Sequence, residues 1–349
     1  MITIDAERLF NGVNELLAGK SELPPVLDWY PLRGHIDLAL GQAWNSEWWQ
    51  FLMRGEYRYF RDLWLAASTY DKGDEVYDAA TQQYFQCLRN TVTGAGQSPT
   101  DSNGDERSDY WALCKTSYAG ANWLTGTVYA VGDIVYYPVD DTYYQCHTAH
   151  TSSGTLVPDA SGANERWGAL TPFERYVDFS QTGKTLIGNV YDVKDANPRV
   201  NRNWTSLDHE TLEDRVYVSE NVRRCFVDFR LRRPKLTGDF YDITAAYAVG
   251  DQVYFTPTGD VGNFYKCVAT AAAGDTPSTD TDKWEVVEIP EAFEGAIIQG
   301  AYALLMTADD QEGKQRTALA MAEGYLGLET DRKYRQSGET PAVPMRTYP

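Results

Sequence analysis

One pattern of tyrosine, glycine-aspartate, cysteine and tryptophan occurs three times along the chain, and it limits the fold more than any other feature. The first copy reads Tyr70-x-x-Gly73-Asp74-x-Val76-Tyr77, then Tyr84-Phe85-x-Cys87, then Gly96, Pro99 and Tyr110-Trp111. The second reads Tyr129-x-x-Gly132-Asp133-x-Val135-Tyr136, Tyr143-Tyr144-x-Cys146, Gly154, Pro158 and Trp167. The third reads Tyr247-x-x-Gly250-Asp251-x-Val253-Tyr254, Phe264-Tyr265-x-Cys267, Gly274, Pro277 and Trp284. Gly-Asp suits a tight turn, since glycine tolerates positive φ and an Asp side chain folds back on its own backbone. The β-branched and aromatic residues that follow, separated by a polar hairpin tip, predict two strands, and the closing Trp a short third strand or lid. Each copy is thus a three-stranded unit of about 40–45 residues, near the lower size limit for independent folding. Cys87, Cys146 and Cys267 share one repeat position, which predicts a small buried side chain under the hairpin. With five cysteines and no CxxC pair, a disulfide framework is not expected.

The repeats sit between segments of different character. Apolar residues three and four apart predict a helix from Asp5 as N-cap through Leu9, Phe10, Val13, Leu16 and Leu17, and a second from about Gly34 to Arg58. Near the other end, Pro290 can start a helix carrying Phe293, Ile297, Ala301 and Leu304-Leu305, and Asp309-Asp310 precedes one with Leu319, Ala322, Tyr325 and Leu326. No helix of the four can bury its stripe alone, so one bundle built from both chain ends is expected. Between the second and third repeats, Thr185–Tyr191, Val216–Val218 and Arg224–Leu231 read as strands of a small antiparallel domain. The expected class is α+β multidomain, a helical bundle formed by N- and C-terminal segments with an antiparallel β domain and three small three-stranded β modules inserted. The expected boundaries are 1–67 and 289–335 for the bundle halves, 68–113, 127–171 and 245–288 for the modules, and 172–243 for the β domain. The Pro-rich segment 336–349 should form an extended tail, with Met345, Arg346 and Tyr348 available to dock on a partner.

The modules resemble the small carbohydrate-binding modules appended to chitinases and cellulases. That resemblance implies that exposed aromatics stack on sugar rings, and the positions it points to are Tyr77, Trp111, Tyr136, Trp167, Tyr254 and Trp284. The alternative is that these rings are the core of a tiny domain or meet a neighbouring subunit. Across the whole chain, the order of parts resembles head-to-tail adaptor (neck or connector) proteins of tailed bacteriophages. The residues carrying this likeness are Ala43-Trp44-x-x-Glu47-Trp48-Trp49, Val216-Tyr217-Val218 and Val227-Asp228-Phe229-Arg230 before Pro234, and the segments Ile289-Pro290, Gly300–Ala303 and Asp309-Asp310-Gln311 near the end. The likeness implies a virion protein that forms a homo-oligomeric ring, commonly of twelve subunits, between portal protein and tail or nozzle protein. DNA would be only passing cargo, and the modules would be decorations or a collar that binds glycans. The runner-up is a carbohydrate-binding adhesin or tail-fibre-type attachment protein.

Charge and motifs narrow the remaining classes. A formal charge of −19 opposes general binding to a phosphate backbone. Against that acidity, Arg223, Arg224, Arg230, Arg232, Arg233 and Lys235 form a basic cluster in sequence, suited to an acidic neighbour, to DNA, or to a solvated strand edge. The N-terminus shows no secretory pattern and no apolar run is long enough to span a membrane, so synthesis in the host cytoplasm and no membrane partner are expected. Gly183-Lys184-Thr185 lacks the earlier glycine of a phosphate-binding loop, and Cys146-His147-x-x-His150 uses a repeat core position, so neither motif predicts a ligand. GxSxG, HExxH and GxGxxG do not occur, and no catalytic residue, cofactor or metal is expected.

Overall fold

A computed structural model describes residues 2–18, 26–90, 92–93, 97–101, 103–308 and 310–337. Gly96 of the first repeat, Asp309 and the tail residues Met345, Arg346 and Tyr348 lie outside the described residues. The fold is α+β, with helices from both ends of the chain and several small sheets between them. It comprises two compact units, Met1–Met53 with Arg233–Pro349, and Arg54–Arg232. The third module therefore belongs with the helices, and the first two with the β domain.

In the helical unit, α1 (Ala6–Ala18), α2 (Val26–Asn45), α3 (Glu294–Ala308) and α4 (Glu312–Ser337) pack around α3. The two ends of the chain are joined directly, because Thr3–Ile4 pairs antiparallel with Ile289–Pro290. Glycine sets the close approaches to α3. A Cβ on Gly12 of α1 would lie 2.5 Å from Ile298, one on Gly300 would lie 3.1 Å from Ala39 of α2, and one on Gly295 would lie 2.6 Å from Tyr325 of α4. Asp5 is not the whole N-cap of α1. The amides of Ala6 and Glu7 are taken by Asn263 Oδ1 (2.9 Å) and the Gly262 carbonyl (3.0 Å) of the third module, while Asp5 holds the Asn263 amide at 2.7 Å. The helix expected to reach Arg58 ends at Asn45. There Ser46 Oγ and Trp49 Nε1 both donate to the Ala43 carbonyl, at 2.9 Å each, which folds the chain back. Met53–Arg58 is instead a strand, whose Gly55 faces Phe226 so closely that a Cβ would lie 2.6 Å from its ring.

In the other unit, Met53–Arg58, Cys225–Leu231 and Ile187–Lys194 form one three-stranded sheet, and Tyr176–Asp178, Arg215–Val218 and His209–Thr211 form another. Phe60, Val177, Val193, Val216, Val227 and Phe229 pack together as their shared core.

The three modules repeat one design to the level of single hydrogen bonds. Gly73, Gly132 and Gly250 all take φ of +94° to +100°, a region that only glycine occupies without strain. Their amides donate to the carbonyls of Cys87, Cys146 and Cys267 at 2.9, 2.8 and 2.8 Å. The aspartates that follow, Asp74, Asp133 and Asp251, accept from the amide three residues back at 2.7–2.8 Å, which closes the turn. Each cysteine is buried and donates to the carbonyl two residues on, and burial pushes the Cys87 and Cys146 thiols up to about 11. Each opening tyrosine meets the closing tryptophan edge-on, with ring centroids 5.4, 5.0 and 5.2 Å apart.

The modules begin earlier than the sequence pattern shows. Trp64, Trp123 and Tyr241 each donate a backbone N–H at 2.9 Å to the carbonyl of Tyr77, Tyr136 or Tyr254, six residues ahead of the opening tyrosine. The next amide, of Leu65, Leu124 or Asp242, donates to that tyrosine's hydroxyl at 2.6–2.9 Å. In the second and third modules this segment adds a fourth, parallel strand, Ala121–Asn122 and Asp239–Phe240, to the three expected; in the first it is a single bridge from Leu63 to Tyr77. Replacing Trp111 by Ala should destabilise its unit by about 3–5 kcal/mol, read from the urea midpoint, whereas Leu124→Ala on the exposed surface should shift it by less than about 0.5 kcal/mol.

Candidate interaction surfaces

Each module sheet has two faces, and the register assigns every aromatic to one of them. Val76, Phe85, Cys87 and Trp111 share the first face with Tyr70, and this face is the module's own core. The equivalents are Val135, Tyr144, Cys146 and Trp167 with Tyr129, and Val253, Tyr265, Cys267 and Trp284 with Tyr247. Trp111, Trp167 and Trp284 are therefore core side chains, at most 3% exposed, and offer no platform for a sugar. The small unit uses its largest ring to fill its own interior.

The second face of each module carries a cross-strand aromatic pair. In the first module Tyr77 and Tyr84 pack into the β-domain core with Phe60 and Phe173, and Tyr84 donates to the Arg223 carbonyl at 2.6 Å. In the third, Tyr254 and Phe264 meet Trp29 of α2 and Phe10 of α1, with Trp29 centroids 4.6 Å from Tyr254 and 4.3 Å from Phe10. Tyr77 and Tyr254 are thus anchors to the chain's own scaffold, not stacking residues. The second module differs. Tyr143 packs beside Leu88, Ala112, Tyr118 and Leu170, while Tyr136 remains half-buried at its side, 5.2 Å away between centroids, with its hydroxyl donating to Asp141 at 2.6 Å. Of the six aromatics selected from sequence, Tyr136 alone is accessible.

The first and second modules pack on each other through equivalent residues. Gln86 donates to the Ala169 carbonyl (3.3 Å) and Thr171 Oγ1 (2.7 Å) of the second module, and Gln145 donates to the Trp111 carbonyl (3.3 Å) of the first. Leu88 lies against Gly168, where a Cβ would approach to 2.5 Å. At the repeat position of Leu88 the second module has His147, which accepts from Arg89 Nε at Nδ1 (3.0 Å). In the third module these positions are Lys266, Glu285 and exposed Val268, so its charges do not suit such pairing.

The basic cluster is split. Arg233 and Lys235 belong to the helical unit, where Arg233 clasps Asp37 of α2 through two nitrogens, at 3.0 and 3.2 Å. Arg223, Arg224, Arg230 and Arg232 belong to the other unit, where Arg224 lies over the Tyr57 ring at 4.3 Å. The sequence run is thus divided, with four of its cations in one unit and two in the other. Among the described residues, no group of three or more His, Cys, Asp or Glu is placed to hold a metal ion, and no helix is long and apolar enough to cross a membrane. No family model, curated protein or solved structure matches this chain.

His147 makes the module pair acid-sensitive. Burial, reinforced by the Arg89 and Lys72 cations, lowers its pKa from 6.5 to about 3. A neutral folded ring contributes stability that is complete above about 6.5 and is lost as pH falls from there toward 3, at about 1.4 kcal/mol per pH unit. Urea denaturation between pH 7 and pH 5 should show this loss, and His147→Asn, which keeps an acceptor for Arg89, should flatten it. Parallel pH curves for the two proteins would contradict the assignment.

Proposed function

We propose that this protein is a virion structural component, a head-to-tail adaptor of the phage neck that assembles as a ring between portal and tail. The observation that carries the reading is the scaffold. Both chain ends are joined by the Thr3–Ile4 and Ile289–Pro290 pairing into one helical unit, and the β material is an insertion between them. Such an arrangement suits a protein whose ends do the assembling and whose inserts face outward. Portal and tail or nozzle proteins are the proposed partners, and the tail bearing Met345, Arg346 and Tyr348 is the proposed portal-docking segment. Virion localisation belongs to the same proposal. Electron microscopy of the purified protein, alone and mixed with portal, should show closed rings that seat on the portal and lose that seating when residues 338–349 are deleted. A protein that neither forms rings nor binds portal would overturn the reading.

Glycan binding is a second reading, and Tyr136 beside Tyr143 is the observation that favours it. Retention on chitin, cellulose or host polysaccharide should fall at least about tenfold on Tyr136→Ala, the size expected for losing one stacking ring. Retention that is absent, or unchanged by the substitution, removes this reading.

A further inference from the structure

Where the first two modules meet, positive charge collects on an otherwise acidic protein. Arg89 of the first module donates from Nε to His147 Nδ1 at 3.0 Å and from Nη2 to the His147 carbonyl at 3.2 Å and to Thr148 Oγ1. Lys72, also of the first module, crosses to the second and donates to the Trp167 carbonyl at 3.2 Å and to Glu165 at 2.7 Å. Arg166 stands next to His147 across the strands, its carbonyl accepting the His147 amide at 2.9 Å, and its Nη1 donates to the Glu165 carbonyl at 2.8 Å. Burial first, and then the Arg89, Lys72 and Arg166 charges, lower the His147 pKa, so all three cations act on one ring. Glu165 pairs with Lys72, whereas the acceptors of Arg89 and Arg166 are carbonyls, a hydroxyl and the imidazole. The Lys72, Arg89, Arg166 and Glu165 side chains together carry a charge of +2.

The imidazole gives the second observation. Because Nδ1 accepts from Arg89, the neutral ring carries its proton on Nε2. That N–H is buried without an acceptor, on a residue only 4% exposed. Buried donors are ordinarily paired, and leaving one unpaired is costly. The module design does not account for these side chains. The repeat positions of Lys72 are Val131 and Val249, those of Arg89 are Thr148 and Ala269, and that of His147 in the first module is Leu88. Lys72 and Glu165 keep 28% and 21% of their side chains exposed, so the cluster reaches solvent on that side, with His147 beneath.

We propose that the junction of the first two modules binds a tetrahedral oxyanion, sulfate or phosphate, through the His147 Nε2–H together with Lys72, Arg89 and Arg166. A doubly charged oxyanion offsets the +2 of the cluster, and its several oxygens can accept from the imidazole, the ammonium and the guanidinium groups at once. Chloride has one charge and no separate oxygens to divide among these donors. The ion would give the buried N–H its acceptor and would tie residues of one module to residues of the other. A chain of charge −19 repels anions over most of its surface, so binding depends on these three cations.

The test is a nuclear magnetic resonance titration of the full chain, labelled with 15N at histidine, with sodium sulfate against sodium chloride at constant ionic strength and pH 7. The His147 Nε2–H signal is identified by its loss in His147→Leu, which places at this position the residue type that the first module has there. It should shift saturably with sulfate and stay in place with chloride, and inorganic phosphate should compete. Arg166→Gln, at the part-exposed side of the cluster, should raise the sulfate Kd at least about tenfold, the size of one lost charge-assisted hydrogen bond, with the urea midpoint unchanged. Galactose 6-sulfate that binds more tightly than inorganic sulfate supports the site with the group carried on a sugar, and weaker binding supports it with a free ion. A His147 signal indifferent to sulfate would mean that water alone meets Nε2 and would overturn the proposal. Sulfate binding unaltered in both variants would place the ion elsewhere and overturn it equally.

Discussion

A three-stranded sheet of strands three to five residues long has two faces, and a segment of about forty residues holds enough apolar side chains to cover one. Much of the rest of the structure follows from that shortage. Each module closes its first face with a tyrosine set edge-on to a tryptophan and a cysteine packed beneath the hairpin. The second face must find cover elsewhere, and the aromatic pair at its centre is what requires it. In the first module that cover is the β domain, and in the third it is the stacked Phe10 and Trp29 of the helices. In the second it is partly the first module, which leaves Tyr136 at the margin. The first and third modules are thus bound to this chain by Tyr77 and Tyr254, two of the rings that a sugar-stacking role would need to be free.

Much of the fold could be read from the residues because the turns are local. Gly-Asp fixes a positive φ and a side-chain-to-backbone bond within four residues, so all three repeats were visible and folded alike. The fourth strands were not visible, since Leu63-Trp64, Asn122-Trp123 and Phe240-Tyr241 share little beyond an aromatic six positions before the opening tyrosine. That spacing was the available signal. The end of α2 was misread because Trp48, Phe51 and Leu52 continue a helical apolar rhythm, while the reversal depends on Trp49 reaching back to Ala43 and on Gly55 fitting beneath Phe226. Face assignment was the least legible part. Residues such as Trp111 and Tyr136 are equally aromatic in sequence, and only strand register tells which ring is enclosed.

The basic run between Arg223 and Lys235 is divided between the units. It straddles the junction between the two units, and Arg233 is used to hold the incoming strand segment against α2. In this account each β module completes one face itself and leaves the other to the chain around it.

Hydroxyl-radical footprinting of the folded protein against the urea-unfolded chain tests that division of faces most directly. The account predicts strong protection of Tyr77, Trp111 and Tyr254 on folding, with Tyr136 oxidised readily in both states. Ready oxidation of Tyr77 or Tyr254 in the folded protein would contradict it, and would place those rings on an open surface.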